Sequence, residues 1–150
     1  ETTMKKFLDL FLPSRKRSRQ LTNVELMGYR YFFRLDVKVM AELAGCTPKT
    51  WYAWENGDSP VPAKVCDMMD GLQMTYIDEL ASAEILLREQ GQGERCALRF
   101  YETFELFMSH YPTRDYLAWR MGQSVALRLF SEQQVYLVSA EKIEGEICGK

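Results

Sequence analysis

Two short helix patterns follow one another with only three residues between them, and this spacing constrains the fold more than any other feature of the sequence. Asp36 is a typical helix N-cap residue, and apolar residues recur at helical spacing over the stretch Val37–Ala44 that follows it. Gly45 comes next, where a left-handed residue turns the chain sharply. Thr47 and the proline after it then begin another helix, as N-cap and first helical residue. We therefore predict two helices joined by a tight turn, the second over Pro48–Asn56.

The neighbouring residues predict how this helix pair is held. Thr22 and Glu25 form a capping box, which predicts an earlier helix that ends near Arg34. The helix predicted over Pro48–Asn56 is thus the third in the chain. Trp51 and Trp54 lie three residues apart, on one side of this third helix. We expect that side to be buried, so the opposite side is available for another contact.

Two short helices joined by a glycine turn of three or four residues are typical of a helix-turn-helix, whose second helix is presented to the major groove of DNA. Ala41 fits this arrangement because it is small where the two helices must approach. An αα-hairpin within an ordinary helical bundle has the same local pattern. The spacing by itself leaves both interpretations open.

If the third helix enters the major groove, its N-terminal and outward-facing residues read the bases. Lys49 can donate to the guanine acceptors, Thr50 can bond to either kind of base edge, and Ala53 is small enough to accept a thymine methyl group. Tyr52 is long enough to reach a base or a phosphate. The candidate DNA-binding residues in this part of the chain are Lys38, Thr47, Pro48, Lys49, Thr50, Tyr52, Ala53 and Asn56.

The charge is unevenly distributed along the chain. Residues 1–20 contain six basic and two acidic residues, whereas the chain from Lys64 onward contains nine basic and fourteen acidic ones, and the net charge is −2. We hypothesise that residues 1–20 are a basic arm that follows DNA phosphates or the minor groove, in which case its removal flattens the salt dependence of binding. A solvated linker is the alternative. The arm residues that we expect at the DNA are Arg15, Lys16, Arg17 and Arg19.

Several classes of protein are disfavoured by composition. Cys46, Cys66, Cys96 and Cys148 are scattered without a C-x-x-C pair, and His110 is the single histidine, which argues against zinc sites and most metalloenzymes. The sequence has no phosphate-binding loop and no nucleophile elbow, so we expect neither an enzyme nor a cofactor. Unpaired thiols fit a reducing cytoplasm, and no apolar run approaches the roughly 20 residues that span a bilayer, so we expect a cytoplasmic protein without a membrane partner.

The chain beyond Pro62 predicts further helices and two short strands. A long helical stretch runs to Gln90, and its apolar stripe between Leu72 and Leu87 fits either a partner helix or the core of its own chain. The segments Ala97–Tyr101 and Val135–Val138 are rich in strand formers, and two more helices are predicted between them. Three arginines there are candidates for contact with nucleic acid, although solvated ends or internal ion pairs are the alternative: Arg114, Arg120 and Arg128.

The stretch from Ala41 to Gly57 resembles the phage-repressor-like helix-turn-helix family, the lambda or XRE type, whose reading helix usually ends in the run Trp-Glu-Asn-Gly found here at Trp54–Gly57. The segments Leu98–Tyr101 and Trp119–Ala126 extend the likeness to a narrower group, the YdiL-type proteins and the anti-CRISPR-associated autorepressors. The likeness covers about Leu21 to Leu137.

The resemblance implies a dimeric, autoregulatory transcriptional repressor whose C-terminal part pairs across a two-fold axis, and some members of the group also bind their own messenger RNA. It further implies that Thr47 and Asn56 touch phosphate, although Asn56 is equally suited to capping the turn.

Together these observations predict a mainly α-helical protein with an N-terminal lambda-repressor-like helix-turn-helix and a C-terminal helical dimerisation part that carries one or two short strands. We expect a basic arm over 1–20, a DNA-binding domain with a long connecting helix over 21–90 and a dimerisation domain over 91–150. The expected partners are double-stranded DNA with an inverted repeat, a second copy of the chain and, as a further candidate, RNA. A protein-binding adaptor or antitoxin-like module is the alternative function.

Overall fold

The structure, a computed structural model, describes residues 20–90 and 93–141. Six helices and two strands follow one another in these ranges. The prediction of a mainly α-helical fold with short strands is confirmed. The elements are α1 (Asn23–Phe32), α2 (Val37–Ala44), α3 (Pro48–Asn56), α4 (Ala63–Gln90), β1 (Cys96–Phe100), α5 (Phe104–His110), α6 (Tyr116–Ser131) and β2 (Val135–Ser139).

Side-chain caps set the ends of the first helices. At the start of α1 the Glu25 amide donates to the Thr22 hydroxyl at 3.1 Å, and the Thr22 amide donates to the Glu25 carboxylate at 3.2 Å. At the start of α2 the Asp36 carboxylate accepts the Val39 amide at 3.1 Å. These bonds satisfy N–H groups that have no partner within the helix, so each helix begins at its cap. The predicted starts of both helices are confirmed.

The long helix α4 has 28 residues and lies against α1 and α6. Its stripe between Leu72 and Leu87 packs on the core of the same chain, which is one of the two arrangements that the sequence left open. Another face of the helix carries apolar side chains that are half exposed or more, at Met74, Ile77 and Ile85. This exposed apolar face has no partner among the described residues.

The two strands form a parallel sheet in which Cys96 lies opposite Val135 and Phe100 opposite Ser139. Parallel neighbours need a crossover connection, and here it contains α5 and α6. The strands were predicted to within one residue at each end. Helix α6 lies against α4, α5 and both strands, so it is the central element of the C-terminal half.

A single hydrophobic cluster joins the two halves of the described chain. It includes Leu26 and Trp51 from the first helices, Met69 from α4, and Met121 and Leu129 from α6. The division into domains at residue 91 is a prediction that this continuous cluster does not test. Within residues 20–90 and 93–141, no helix has both the length and the apolar character that crossing a membrane requires.

Candidate nucleic-acid interface

The connection between α2 and α3 consists of three residues, and its geometry follows from one glycine. Gly45 has φ +72°, in the left-handed region that other residues adopt only with strain. The Cys46 amide then donates back to the Ala41 carbonyl at 2.9 Å, and partial burial raises the pKa of the Cys46 thiol. At the start of α3 the Thr47 hydroxyl accepts the Thr50 amide at 3.3 Å. The turn therefore sets the two helix directions locally.

The inner side of α3 is buried against the rest of the chain. Trp51 is fully buried, and Trp54 and Glu55 are nearly so. Ala41 of α2 is also fully buried, and α2 and α3 contact each other. The side of α3 that was predicted to be buried is therefore buried. It also contains Glu55, a charged residue that the periodicity did not indicate.

Glu55 ties α3 to α1 through several hydrogen bonds. Its carboxylate accepts from Arg30 Nε at 2.5 Å and Nη2 at 3.1 Å, and from Trp51 Nε1 at 3.1 Å. The Asn23 side-chain amide donates to the Glu55 backbone carbonyl at 3.1 Å. The hydrogen bonds from Arg30 to Glu55 raise the pKa of the guanidinium. Desolvation of the guanidinium opposes this rise. The α3 orientation is thus fixed by a satisfied, buried polar network as well as by the tryptophans.

The outer side of α3 carries the residues that the sequence predicts to contact DNA. Lys49 and Tyr52 are exposed, and Ala53 is half-buried between the two sides. Within the described part of the chain, the Asn56 side chain makes no hydrogen bond, so the structure does not show it capping the turn. The exposed members of the predicted set on this helix and its cap are Thr47, Pro48, Lys49, Thr50, Tyr52 and Asn56.

Two features of this set are visible only in three dimensions. The hydroxyl groups of Thr47 and Thr50 lie 3.1 Å apart and share a hydrogen bond, so Thr50 is not independent of the cap. Lys38, in the first turn of α2, lines the same cleft as Pro48 and Tyr52. The structure therefore brings Lys38 beside α3, although Pro48 lies ten positions further along the chain. The arm residues Arg15, Lys16, Arg17 and Arg19 lie outside the described residues.

The cleft has a volume of about 630 Å³, and four cations line its walls, of which Arg30 and Arg34 were not among the residues predicted to contact nucleic acid. Residues 21–62 contain four basic residues in all, and three of them, Arg30, Arg34 and Lys38, reach the cleft. No helical period predicts this grouping, because Arg30 lies on α1, Arg34 between the helices and Lys38 on α2. Arg120 reaches the same cleft from α6, and only the tertiary structure shows this.

The other arginines of the C-terminal half lie outside this cleft. Arg128 is paired with Glu132 at 2.6 Å on the exposed side of α6, which is the ion pair that the sequence left open as an alternative. Arg114 instead lines a separate cavity of about 300 Å³ beside Phe107 and Trp119. Among the described residues, no group of three histidine, cysteine, aspartate or glutamate side chains could hold a metal ion.

Comparison with known proteins identifies a family that this chain matches. Residues 21–138 match the family described as Aca2/YdiL-like. The chain is 33% identical to the Aca2 repressor of Pectobacterium phage ZF40 over 119 residues, which cover 79% of this chain and the whole of that protein. It is 24% identical to protein YdiL of Escherichia coli (strain K12) over 109 residues, or 71% of this chain and 91% of that protein.

Proposed function

The chain belongs to the Aca2/YdiL-like family, and on this basis we propose that it is a transcriptional repressor that binds a specific DNA sequence as a homodimer on an inverted-repeat operator. The named repressor among its relatives, aligned over that protein's whole length, supports a regulator of the phage type. The observation that carries the proposal is the exposed outer side of α3. Its inner side is locked by Trp51, Trp54 and Glu55.

The helix pair supports this function through its shape. A helix-turn-helix reads DNA by placing its second helix in the major groove, and this requires a helix with one side buried and the other unobstructed. Helix α3 meets both conditions, and its N-terminal residues Pro48 and Lys49 are exposed where the first bases would lie. In this arrangement α3 is the reading helix and α2 crosses the DNA backbone.

The chemistry of the outer side fits base reading. Lys49 donates to guanine O6 and N7, and the partly covered Ala53 offers a methyl group to thymine. Tyr52 reaches a base or a phosphate, and Thr47 and Asn56 lie at the two ends of α3, where phosphates pass. Thr50 hydrogen-bonds to a base edge when its hydroxyl turns away from Thr47. Repression follows from occupancy, since a bound dimer blocks a promoter.

A homodimer is supported by the exposed apolar face of α4. Met74 is 64% exposed, Ile77 50% and Ile85 51%. Large apolar side chains that share one helix face and are half exposed or more favour an interaction surface there. A second copy of the chain seated there would present two reading helices, and two-fold symmetry in the protein requires an inverted repeat in the DNA.

We propose a binding rather than a catalytic function. The cavity beside Phe107 and Trp119 is lined mainly by apolar and aromatic side chains. His110 lies at the end of α5 with its ring 5.3 Å from that of Tyr101, which is an aromatic packing contact. A purified protein that turned over a substrate at this cavity would contradict the proposal.

The test is selection of bound sequences from a random pool of DNA duplexes at an ionic strength of about 0.15 M, where unspecific contacts to phosphate are weakened. A palindromic consensus, lost in the variant Lys49→Ala/Tyr52→Ala while that variant stays folded, supports a sequence-reading dimer. Glu42→Ala, an exposed substitution on α2, is the matched control and should return the same consensus. Selection of no sequence, with binding lost on a modest increase in salt, contradicts the proposal and favours the adaptor or RNA-binding alternatives.

A further inference from the structure

The cleft beside α3 is built from both halves of the chain. The end of α1, the start of α2 and the start of α3 form three of its sides, and Arg120 of α6 closes the fourth. The Asp36 amide, at the start of α2, donates to the Tyr116 hydroxyl of α6 at 2.9 Å. This bond and the one from Arg34 to Gln123 link α6 to the segment between α1 and α2.

The cleft carries an excess of positive charge. Among the described residues no carboxylate pairs with Arg34, Lys38 or Arg120, whereas Arg30 is neutralised by Glu55. The one carboxylate that lines the cleft belongs to Asp36, and it is engaged in capping α2. Among the described residues, Arg34, Lys38 and Arg120 therefore line the same cleft without an acidic partner of their own.

A single buried amide holds two of these cations together. The Gln123 Oε1 atom accepts from Arg34 Nη2 and from Arg120 Nη1, both at 2.9 Å, and Gln123 Nε2 donates to the Tyr101 carbonyl at 2.8 Å. Gln123 is nearly fully buried, at 4% exposure. The Arg120 guanidinium also lies over the Trp119 ring, 4.1 Å from its centroid.

This arrangement favours an anion. Two guanidinium groups that share one neutral oxygen repel each other, and an anion between them removes the repulsion and gains charge-assisted hydrogen bonds. Because Gln123 and Trp119 already restrain the two arginines, little rotamer entropy remains to be lost on binding. The same cleft reaches Pro48 and Tyr52 at the start of α3, so an anion bound there lies beside the reading helix.

We propose that the cleft seats one phosphate of the DNA backbone, held by Arg34, Lys38 and Arg120. The inference rests on the proposed function and extends it, because it assigns part of the DNA contact to α6, outside the helix pair. Phosphate contacts position a protein on the duplex without reading bases. Binding at this cleft thus sets the register of α3 in the groove, and Gln123 acts as a positioning residue for the two arginines.

The test measures affinity as a function of salt for a duplex that carries the selected consensus and for an unrelated duplex. Arg120→Gln and Lys38→Gln should each lower the slope of log affinity against log salt, by up to about 1.8, because a homodimer has two clefts and full loss of one phosphate contact is worth about 0.9. Both duplexes should weaken to the same degree, by up to roughly thirtyfold at 0.15 M salt if the slope is extrapolated from 1 M. The consensus should remain unchanged. Arg128→Gln, on the same helix but paired with Glu132, is the matched control and should leave the slope as it is.

Gln123→Glu separates a positioning role from a structural one. The carboxylate keeps the side-chain volume and gives both arginines an anionic partner, but it loses the donor to the Tyr101 carbonyl. We expect the slope to fall although no arginine has been removed. If Gln123 only supports the fold, the folded variant keeps the wild-type slope. Circular dichroism and thermal unfolding identify any variant that fails to fold. If a variant at Arg120 or Gln123 fails to fold, Lys38→Gln tests the proposal, because the Lys38 side chain makes no hydrogen bond within the described residues.

The outcomes that overturn the inference differ from those that overturn the proposed function. Selection of a consensus by the wild type, with slopes for Arg120→Gln and Lys38→Gln equal to that of Arg128→Gln, removes the cleft from DNA binding and leaves the repressor intact. Loss confined to the consensus duplex makes Arg120 a base contact and also overturns the inference. A wild-type protein that binds neither duplex overturns both.

Discussion

The Arg30 guanidinium and the Glu55 carboxylate form a two-point ion pair that joins α1 to α3. The two N–O distances are 2.5 and 3.1 Å, and Glu55 is only 2% exposed. A buried carboxylate is tolerated only when its oxygens are satisfied, and here Trp51 supplies a further donor. The glutamate of the Trp-Glu-Asn-Gly run therefore has a structural role, which is to hold α3 at its angle to α1.

Removal of this carboxylate should destabilise the protein strongly. Glu55→Ala leaves the Arg30 guanidinium and the Trp51 indole N–H without their acceptor, so we expect the free energy of unfolding to fall by about 3 kcal/mol. Urea denaturation followed by circular dichroism measures the change. Glu42→Ala, an exposed glutamate on α2, is the control and should shift stability by less than about 0.5 kcal/mol. Equal effects of the two substitutions would show that the ion pair does not stabilise α3.

Base reading by α3 should depend on Lys49. We expect Lys49→Ala to weaken binding to the selected consensus by about 1 to 3 kcal/mol and to relax the base choice at one position, because a donor to guanine is lost. Titration against duplexes with each base at that position gives the result. If affinity for random DNA drops by as much as affinity for the consensus, Lys49 contacts a phosphate instead.

Tyr76 should limit stability at alkaline pH. Its hydroxyl is buried and has no hydrogen-bond partner among the described residues, and burial raises the pKa of both Tyr76 and Tyr101. A raised pKa in the folded state means that this contribution to stability is complete below the ordinary tyrosine pKa of about 10 and is lost as the pH rises through the folded value.

Tyr76→Phe removes one source of this loss. At neutral pH we expect its stability to equal or exceed that of the wild type by up to about 1 kcal/mol, since an unsatisfied hydroxyl is deleted. Above pH 10 its unfolding free energy should decline less steeply than that of the wild type. Urea titrations at several pH values compare the two, and a variant that is markedly less stable at neutral pH would reveal a hydrogen bond at this hydroxyl.

The proposed homodimer should require the exposed apolar face of α4. Ile77→Glu/Ile85→Glu places two charges on this face, and burial of unpaired charge opposes association. Light scattering after gel filtration should give twice the chain mass for the wild type and the single-chain mass for the variant. Val24→Glu, at a comparably exposed apolar residue on α1, is the control and should stay dimeric. A variant that remains dimeric would place the interface elsewhere.

The residues from Leu21 to Pro62 were predicted in detail because their signals are local. Thr22, Asp36 and Thr47 cap helices through bonds to amides three residues further on, and Gly45 and Gly57 adopt the left-handed conformation that ends them. Each of these effects acts within one turn of helix, so neighbouring residues in the sequence are sufficient to reveal it.

The site was only partly predictable. The outer residues of α3 follow from periodicity once Trp51 and Trp54 are assigned to the inside. The buried Glu55 does not, because a charged residue is expected at the surface unless its partner is known. The position of Arg120 on α6 was not predictable for a similar reason. The sequence allowed either a contact with nucleic acid or a solvated or ion-paired side chain, and the other residues that line the cleft come from distant parts of the chain.

The sequence by itself determined the caps that begin the first three helices, the two strands to within one residue, and which side of α3 is buried. Only the tertiary structure decided that the strands pair in parallel, that the stripe between Leu72 and Leu87 is core, and that Arg34 and Arg120 share the oxygen of Gln123. The physical reason is the range of the interactions. Caps and helical periods act over three or four residues, whereas the bond between Arg34 and Gln123 spans 89 positions and forms only when the whole core has assembled.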